Sequence, residues 1–181
     1  MRDLRHISVT EIEHFIEKIG EKRFRVKQIN EWLWKKGVHS FDEMNNLSLS
    51  LRQKLKDSFL LQSIHIDKIS ESADGTRKFL FQLSDQKFVE GVLIPTESRV
   101  TACISSQVGC PLKCQFCATG QGGFTRNLHF TEIYDQFFLM NKKSNLFYQK
   151  DISNVVLMGM GEPLLNYDNV KQALFWLTSA E

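Results

Sequence analysis

Apolar residues recur at helical spacing through the first 60 residues of the chain. The first such stripe consists of Ile12, Phe15, Ile16 and Ile19. A spacing of three to four residues places these side chains on one face of an α-helix. Thr10 and Glu13 have the form of a capping box, and Gly20 is suited to end the helix.

Two further stripes predict a second and a third helix. Val26, Ile29 and Leu33 line one face of a helix over residues 25–36, which Gly37 ends. The third stripe, for which Ser48 is the predicted N-cap, consists of Leu47, Leu51, Leu55 and Phe59. Three short amphipathic helices can share one small core, so residues 1–60 are predicted to form a helical domain.

The hydrophobic period changes from helical spacing to two between residues 61 and 98. Phe79 and Phe81 alternate with Leu80 and Gln82, and the Asp74-Gly75 dipeptide before them is a hairpin turn signal. This stretch is predicted to be an antiparallel β-ribbon that links the helical domain to the rest of the chain.

Strand and helix patterns alternate from residue 99 to residue 181. A strand over 99–106 is followed by a helix from about residue 131, by an apolar run at 152–158 and by a helix from residue 166. The apolar run has the character of a parallel strand buried on both faces. The last helix is expected to bury Val170, Ala173, Leu174 and Leu177. The sequence therefore predicts an α/β fold in which residues 99–181 form its third part.

Three cysteines lie within eight residues, at Cys110, Cys114 and Cys117. Iron–sulfur cubes take a cysteine thiolate on each iron, usually four in all, so three ligands leave one iron open to a small molecule. The spacing alone leaves two alternatives, a structural zinc site completed by Cys103 and a disulfide pair.

Composition indicates the cellular compartment in which these cysteines lie. The chain has a net charge of +2, and no apolar run approaches the length of a membrane span, about 20 residues. We expect a soluble, cytoplasmic protein in which thiols stay reduced, which favours metal-binding or catalytic cysteines. Lysines and arginines cluster in the helical domain, where they indicate either phosphate contacts with RNA or a solvated helix face.

Four segments resemble one family of enzymes. The cysteine spacing, with Phe116 before the last cysteine, is similar to the cluster motif of the radical S-adenosylmethionine (SAM) superfamily. The closer resemblance is to the RlmN/Cfr family, and within it to the RlmN branch. It lies in residues 105–110 (SSQVGC), 117–120 (CATG), 122–128 (GGFTRNL) and 158–166 (MGMGEPLLN). The helical domain resembles that family's accessory RNA-binding domain in residues 24–29 (FRVKQI) and 32–37 (WLWKKG).

This resemblance implies a partial radical SAM barrel and a set of residue roles. The three loop cysteines would ligate a [4Fe–4S] cluster, and Gly161 and Glu162 would contact SAM. Cys103 would be the resolving thiol that releases the product and forms a disulfide. Glu90 would accept a proton. Its apolar sequence neighbours are compatible with a buried carboxylate that acts as a base, whereas the residues alone favour an outward-facing residue of an edge strand. The implied reaction methylates C2 of adenine in 23S ribosomal RNA and tRNA through a methylcysteine, with an electron donor as a further partner.

The chain departs from the family in one respect. The family's methyl-carrying cysteine lies far towards the C-terminus of a chain about twice as long, whereas the four cysteines present here already have other roles. We therefore expect a fragment that cannot complete methyl transfer and that self-associates through the open edge of a truncated barrel. The alternatives are a non-catalytic metal- or cluster-binding RNA module and a radical SAM enzyme with another substrate.

Overall fold

The structure is a computed structural model that describes residues 1–178, which fall into two compact units. The first unit comprises residues 1–62 and the second begins at Ser63. The last three residues of the predicted third part, 179–181, lie outside the described residues. Among residues 1–178, no helix is long and apolar enough to cross a membrane.

The first unit is built from three helices. They are α1 (Val9–Lys18), α2 (Phe24–Asn30) and α3 (Leu49–Ser58). A short parallel pair joins its ends, β1 (Arg2–Asp3) with β2 (Phe59–Leu60). The helix predicted over residues 25–36 ends in a π-helical turn at Glu31–Lys35 rather than continuing as an α-helix, and Gly37 follows with a φ of 53°.

The predicted stripes form the core of the first unit. Its largest fully buried side chains are Leu4, Ile12, Ile16, Ile29, Leu33, Met44, Leu51 and Leu55. Trp32 is also buried, and its indole N–H donates to the Asn46 side chain. Each buried aliphatic side chain of this size contributes about 1.5–3 kcal/mol relative to full exposure, so packing rather than helix propensity stabilises the short helices.

The start of α1 differs from the prediction. Ser8, not Thr10, is the N-cap: its Oγ accepts the N–H of Glu11 at 3.2 Å, and the Glu11 carboxylate accepts the N–H of Ser8 at 3.1 Å. Both serine and threonine stand three residues before a glutamate, so the sequence contains two overlapping capping boxes. The earlier box places Ile7 and Ile12, both buried, at the positions of a hydrophobic staple.

Replacing Ser8 with alanine is expected to lower the free energy of unfolding by about 1 kcal/mol, because the first turn of α1 loses its cap. Thr10→Ala is the matched control, since Thr10 is exposed inside the helix, and a change within about 0.5 kcal/mol is expected. Urea unfolding followed by circular dichroism measures both. A larger loss for Thr10→Ala than for Ser8→Ala would contradict the assignment of the cap.

The second unit contains a mixed five-stranded sheet and a two-stranded ribbon. The strands of the whole unit are β3 (His65–Glu71), β4 (Arg77–Gln82), β5 (Phe88–Pro95), β6 (Val100–Cys103), β7 (Gln107–Gly109), β8 (Phe124–Asn127) and β9 (Asn154–Val156). The large sheet has the order β3-β4-β5-β6-β9, in which only the β6–β9 pair is parallel. The ribbon consists of β7 and β8, paired antiparallel.

The stretch expected to be a linker, residues 61–98, therefore contributes three strands to the same sheet as the β6 and β9 pair. Its strands alternate as predicted, and Phe79, Phe81, Val89 and Leu93 are fully buried. Their face lies under a long helix, because a Cβ added to Gly91 would lie 2.9 Å from the sulfur of Met140. The second-unit helices are α4 (Ala118–Gln121), α5 (Phe130–Tyr148) and α6 (Tyr167–Thr178).

Two burial predictions near the end of the chain are wrong. β9 is not buried on both faces, because it is the last strand of the sheet in the described part of the chain and its residues are exposed or half-buried. In α6, Val170 and Ala173 are buried as predicted, but Leu174 is 40% exposed. The hydrophobic pattern marked these residues as apolar but carried no information on which neighbour would cover them.

Candidate cofactor site

Two turns meet at the carboxyl ends of the parallel strands β6 and β9. Residues 104–107 follow β6, and residues 157–162 follow β9. The N–H groups of Ser106 and Gln107 both donate to the carbonyl of Met160, at 2.9 and 3.1 Å, and the N–H of Gly159 donates to the carbonyl of Ile104 at 3.1 Å. Ligand sites in α/β folds lie at this end of parallel strands.

The second turn needs glycines because the first turn lies so close to it. A Cβ on Gly159 would lie 2.7 Å from the Ser105 Oγ, and a Cβ on Gly161 would lie 2.5 Å from the Cβ of Gln107. Gly161 also has a φ of 98°, which L side chains rarely adopt. These glycines therefore allow two segments of this chain, residues 104–107 and 157–162, to lie close together.

Buried polar side chains hold the first turn in place. The Ser105 hydroxyl donates to the carbonyl of Glu90 at 2.6 Å and accepts the N–H of Met160 at 2.8 Å. The fully buried Gln136 of α5 accepts the N–H of Ser105 at 2.8 Å and donates to its carbonyl at 3.0 Å. These groups are satisfied within the protein, so they fix the turn without the penalty of an unpaired buried polar atom.

Gln107 connects the second turn to the β7–β8 ribbon. Its side-chain Oε1 accepts the N–H of Glu162 at 2.9 Å, and its Nε2 donates to the Asn127 side chain at 2.8 Å. The Glu162 carboxylate in turn accepts the N–H of Leu164 at 3.0 Å and caps the 3₁₀ turn Pro163–Asn166. Sequence reasoning assigned no role to Gln107, although a polar run directly after a buried strand was the available signal.

The ribbon closes the cysteine loop. β7 ends one residue before Cys110, whose N–H donates to the carbonyl of Gly123 at 2.9 Å just before β8. Within the loop, the N–H of Cys117 donates to the carbonyl of Cys114 at 3.1 Å. A Cβ on Gly120 would lie 3.0 Å from the amide nitrogen of Cys114, so α4 packs closely on the loop backbone.

The three loop cysteines are free thiols in the structure, as is Cys103. Cys110 is buried and Cys114 and Cys117 are half-buried, while Phe116 between them is 93% exposed. Within residues 1–178, no group of three or more His, Cys, Asp or Glu side chains is arranged to hold a metal ion. The structure thus places the three thiols in one loop without drawing them around a common point. Three free thiols are nevertheless the donor set that an iron–sulfur cluster takes.

Glu90 and Cys103 lie on one face of the large sheet, opposite to the face that α5 covers. Cys103 in β6 pairs with Val92 in β5, and Glu90 is two residues from Val92 on the same strand. Side chains two apart on a strand, or directly paired across strands, share a face. The two residues come from different strands, and sequence spacing gave no indication that they would be neighbours on a surface.

The structure distinguishes the two expectations for Glu90. Its apolar neighbours Val89 and Gly91 face the other side of the sheet, and its carboxylate pairs with the ammonium of Lys78 at 2.9 Å. The Glu90 side chain is 45% exposed, which agrees with the outward-facing alternative, although β5 is an inner strand rather than an edge strand. For Cys103, burial raises the pKa of the thiol, and a backbone hydrogen bond at Met158 offsets part of that rise.

Four cations in the basic clusters of the first unit are paired with acidic neighbours. Arg23 contacts Glu17 at 2.7 Å, and Lys56 contacts Asp42 at 2.7 Å. Looser pairs join Arg25 to Glu21 and Lys36 to Glu31. Exposed pairs of this kind contribute little and exchange readily with other anions, so they leave both interpretations of the surface open.

Comparison with known proteins shows what this chain is similar to over nearly its whole length. A Dual-specificity RNA methyltransferase RlmN from Syntrophus aciditrophicus is 44% identical over 180 residues, and a probable one from Christiangramia forsetii is 49% identical over 180 residues. These alignments cover 98% and 99% of this chain. Over nearly its whole length, this chain matches RNA methyltransferases of the RlmN type.

Two further matches agree with that assignment. The family model for the ribosomal RNA large subunit methyltransferase N-terminal domain matches residues 2–61, which lie within the first unit. The crystal structure of a radical SAM methyltransferase from Sphaerobacter thermophilus superposes with a TM-score of 0.85 at 32% identity, over 98% of this chain and 52% of that one. The predicted α/β class and the partial radical SAM fold are confirmed for this chain.

The chain spans about half the length of the curated relatives that it matches, 50% and 51% for the two named above. The similarity therefore covers the helical unit, the mixed sheet, the cysteine loop and the turn formed by Gly161, Glu162 and Pro163, which we call the Gly-Glu-Pro turn. The remainder of those relatives has no counterpart among these residues.

Proposed function

We propose that this chain carries the cluster-binding and SAM-binding part of an RNA methyltransferase acting on C2 of adenine in 23S ribosomal RNA and tRNA. One observation supports this most strongly: residues 106 and 107, at the carboxyl end of a parallel strand, are hydrogen-bonded to the turn that contains Gly161 and Glu162, and the same segment runs through β7 directly into the three-cysteine loop. The curated relatives are named as dual-specificity RNA methyltransferases, which supports RNA as the substrate.

In this proposal Cys110, Cys114 and Cys117 hold a [4Fe–4S] cluster, and the Gly161–Glu162 turn binds SAM. When bound, the cluster supplies the electron that cleaves SAM, and SAM supplies the methyl group. The protein's part is to hold the three thiols in one loop and to hold the turn beside that loop. Phe116 and Leu112 are exposed and give the loop an apolar surface. A ligand or protein segment that covered this surface would exclude water from the loop.

Glu90 and Cys103 would act from the sheet face that they share. The Glu90 carboxylate accepts the proton released from adenine C2. The Cys103 thiolate forms a disulfide with the methyl-carrying cysteine as the bond from that cysteine to the product breaks. Lys78 holds the Glu90 carboxylate in place at 2.9 Å. Because burial raises the pKa of Cys103, its thiol stays protonated at neutral pH until a base removes the proton.

The remaining partners follow from the same chemistry. The cluster needs an electron donor, and the basic face of the helical unit provides lysines and arginines for RNA phosphates. Free cysteines in the site favour the cytoplasm, where thiols stay reduced. The alternative is a non-catalytic RNA-binding module. Such a module would use the same lysines and arginines for RNA, but it would have no use for a SAM-binding turn at Gly161–Glu162.

The chain on its own is expected to cleave SAM without methylating RNA. After anaerobic reconstitution and reduction with dithionite, it should release 5′-deoxyadenosine from SAM, because the cofactor site is present. It should form no methyladenine in ribosomal RNA transcripts, because each of its four cysteines has another role. Mass spectrometry of the reaction and of digested RNA measures both products.

The two products separate the possible outcomes. Methyladenine from this chain alone would show that one of the four cysteines carries the methyl group. Reconstituted protein that binds iron but releases no 5′-deoxyadenosine would contradict the radical SAM proposal and favour the non-catalytic module.

A further inference from the structure

The Gln107 side chain bonds both to the Gly-Glu-Pro turn and to a strand that closes the cysteine loop. Gln107 is the first residue of β7, only two residues before the glycine that precedes Cys110. Its side chain reaches Glu162 on one side and Asn127, at the end of β8, on the other. A single amide therefore links the two halves of the proposed cofactor site.

The link is rigid for three physical reasons. Gln107 is 1% exposed, so its hydrogen bonds do not compete with water. Its amide oxygen and nitrogen each have a partner at 2.8–2.9 Å, and this fixes which way the amide is oriented. The missing Cβ of Gly161 leaves room for the stem of Gln107, so the turn rests directly on this side chain.

We infer that Gln107 is a positioning residue that sets the distance and orientation of the Gly161–Glu162 turn relative to the cysteine loop. This inference rests on the proposed function, because the two segments matter together only if the cluster and SAM share the site. In that proposal SAM would contact both an iron held by the loop and the Gly161–Glu162 turn. A displacement of the turn by about 1 Å would weaken one of these two contacts.

The test uses Gln107→Met, which keeps the length and volume of the side chain but removes both hydrogen bonds. After cluster reconstitution of the full chain, iron content is measured first and the Kd for radiolabelled SAM is then measured by equilibrium dialysis. We expect iron content close to that of the unsubstituted chain and a Kd for SAM raised about three- to tenfold, the effect of losing one or two buried hydrogen bonds.

Ser144→Ala is the control for the loss of a buried hydrogen bond. Ser144 is fully buried in α5, and its hydroxyl donates to the carbonyl of Lys150 at 2.6 Å, near the start of β9 and so at the end of the parallel strands away from the Gly-Glu-Pro turn. It is expected to lower stability to a similar extent while changing the Kd for SAM less than about twofold, a change close to measurement precision. An equal rise in Kd for both variants would overturn the positioning role, because it would reduce the effect to general destabilisation.

Two further measurements keep the inference testable if Gln107→Met does not take up iron. Asn127→Ala removes the hydrogen bond that joins Gln107 to β8, together with a longer bond of 3.4 Å to the carbonyl of Leu165. Asn127 is exposed, and an unchanged Kd for SAM in that variant overturns the inference. Hydrogen exchange of the Glu162 amide needs no cofactor: faster exchange is expected in Gln107→Met and not in Ser144→Ala. Unchanged exchange in Gln107→Met also overturns it.

Failure of the proposed function gives a different result. If the unsubstituted chain takes up iron but shows no SAM binding, the proposed function fails and the positioning role for SAM fails with it. If the unsubstituted chain binds SAM and Gln107→Met binds it equally well, only the positioning role fails.

Discussion

Replacing Cys114 with alanine is expected to abolish stable iron binding after anaerobic reconstitution. Cys114 lies in the middle of the loop, and its carbonyl accepts the N–H of Cys117, so backbone geometry already ties these two cysteines together. Losing an outer-shell partner of a metal site typically costs about 10- to 100-fold in affinity, and losing a ligand itself costs more. Iron and acid-labile sulfide per chain, measured against the unsubstituted protein, give the result.

Cys103→Ala is the control that separates a cluster from zinc. Cys103 lies in β6, outside the cysteine loop, and the proposal gives it no part in holding the cluster. Iron content should therefore stay unchanged in Cys103→Ala. If a single zinc ion were held by the three loop cysteines and Cys103, this variant would lose its metal as completely as Cys114→Ala, and the cluster assignment would be wrong.

Replacing Gly109 with alanine is expected to destabilise the second unit severely. Gly109 has a φ of 76°, and an added Cβ would lie 1.9 Å from the carbonyl oxygen of Gly123. That oxygen accepts the N–H of Cys110, so the ribbon cannot make room without losing the bond that closes the cysteine loop. Backbone strain and the broken contact together should cost more than about 3 kcal/mol.

Gly123→Ala is a closely matched control for this substitution. Gly123 has a φ of 77°, nearly the same as Gly109, but no atom lies within 4 Å of its added Cβ. Its cost should be limited to the strain of a left-handed backbone, about 1–2 kcal/mol. Urea unfolding of both variants measures the difference, and equal losses would show that the approach of the two strands has no part in the stability.

The helical core could be predicted from the sequence because its pattern is local. Ile12, Ile16, Ile29, Leu33 and Leu51 were selected by spacing alone, and all five are buried. Spacing on a helix determines which side chains share a face, and a small unit buries that face. The exact helix start was missed at Ser8 because two capping boxes overlap, and only the packing of Ile7 and Ile12 favours the earlier one.

The candidate site was predicted only in part because its geometry depends on contacts distant in sequence. The three cysteines are adjacent in sequence, so their spacing was sufficient to select them. Gly161 was interpreted as a place for a ligand to approach, yet its missing Cβ leaves space for Gln107, 54 residues earlier in the sequence. The sharing of one sheet face by Glu90 and Cys103 follows from strand register, which no local pattern determines.

The most direct test of the central claim is electron paramagnetic resonance of the reduced, anaerobically reconstituted chain, recorded with and without SAM. We predict a [4Fe–4S]⁺ signal that changes when SAM is added, because three cysteines leave one iron open to it. A cluster signal that SAM does not alter would contradict the claim, since it would show a cluster with no open iron within reach of the Gly161–Glu162 turn.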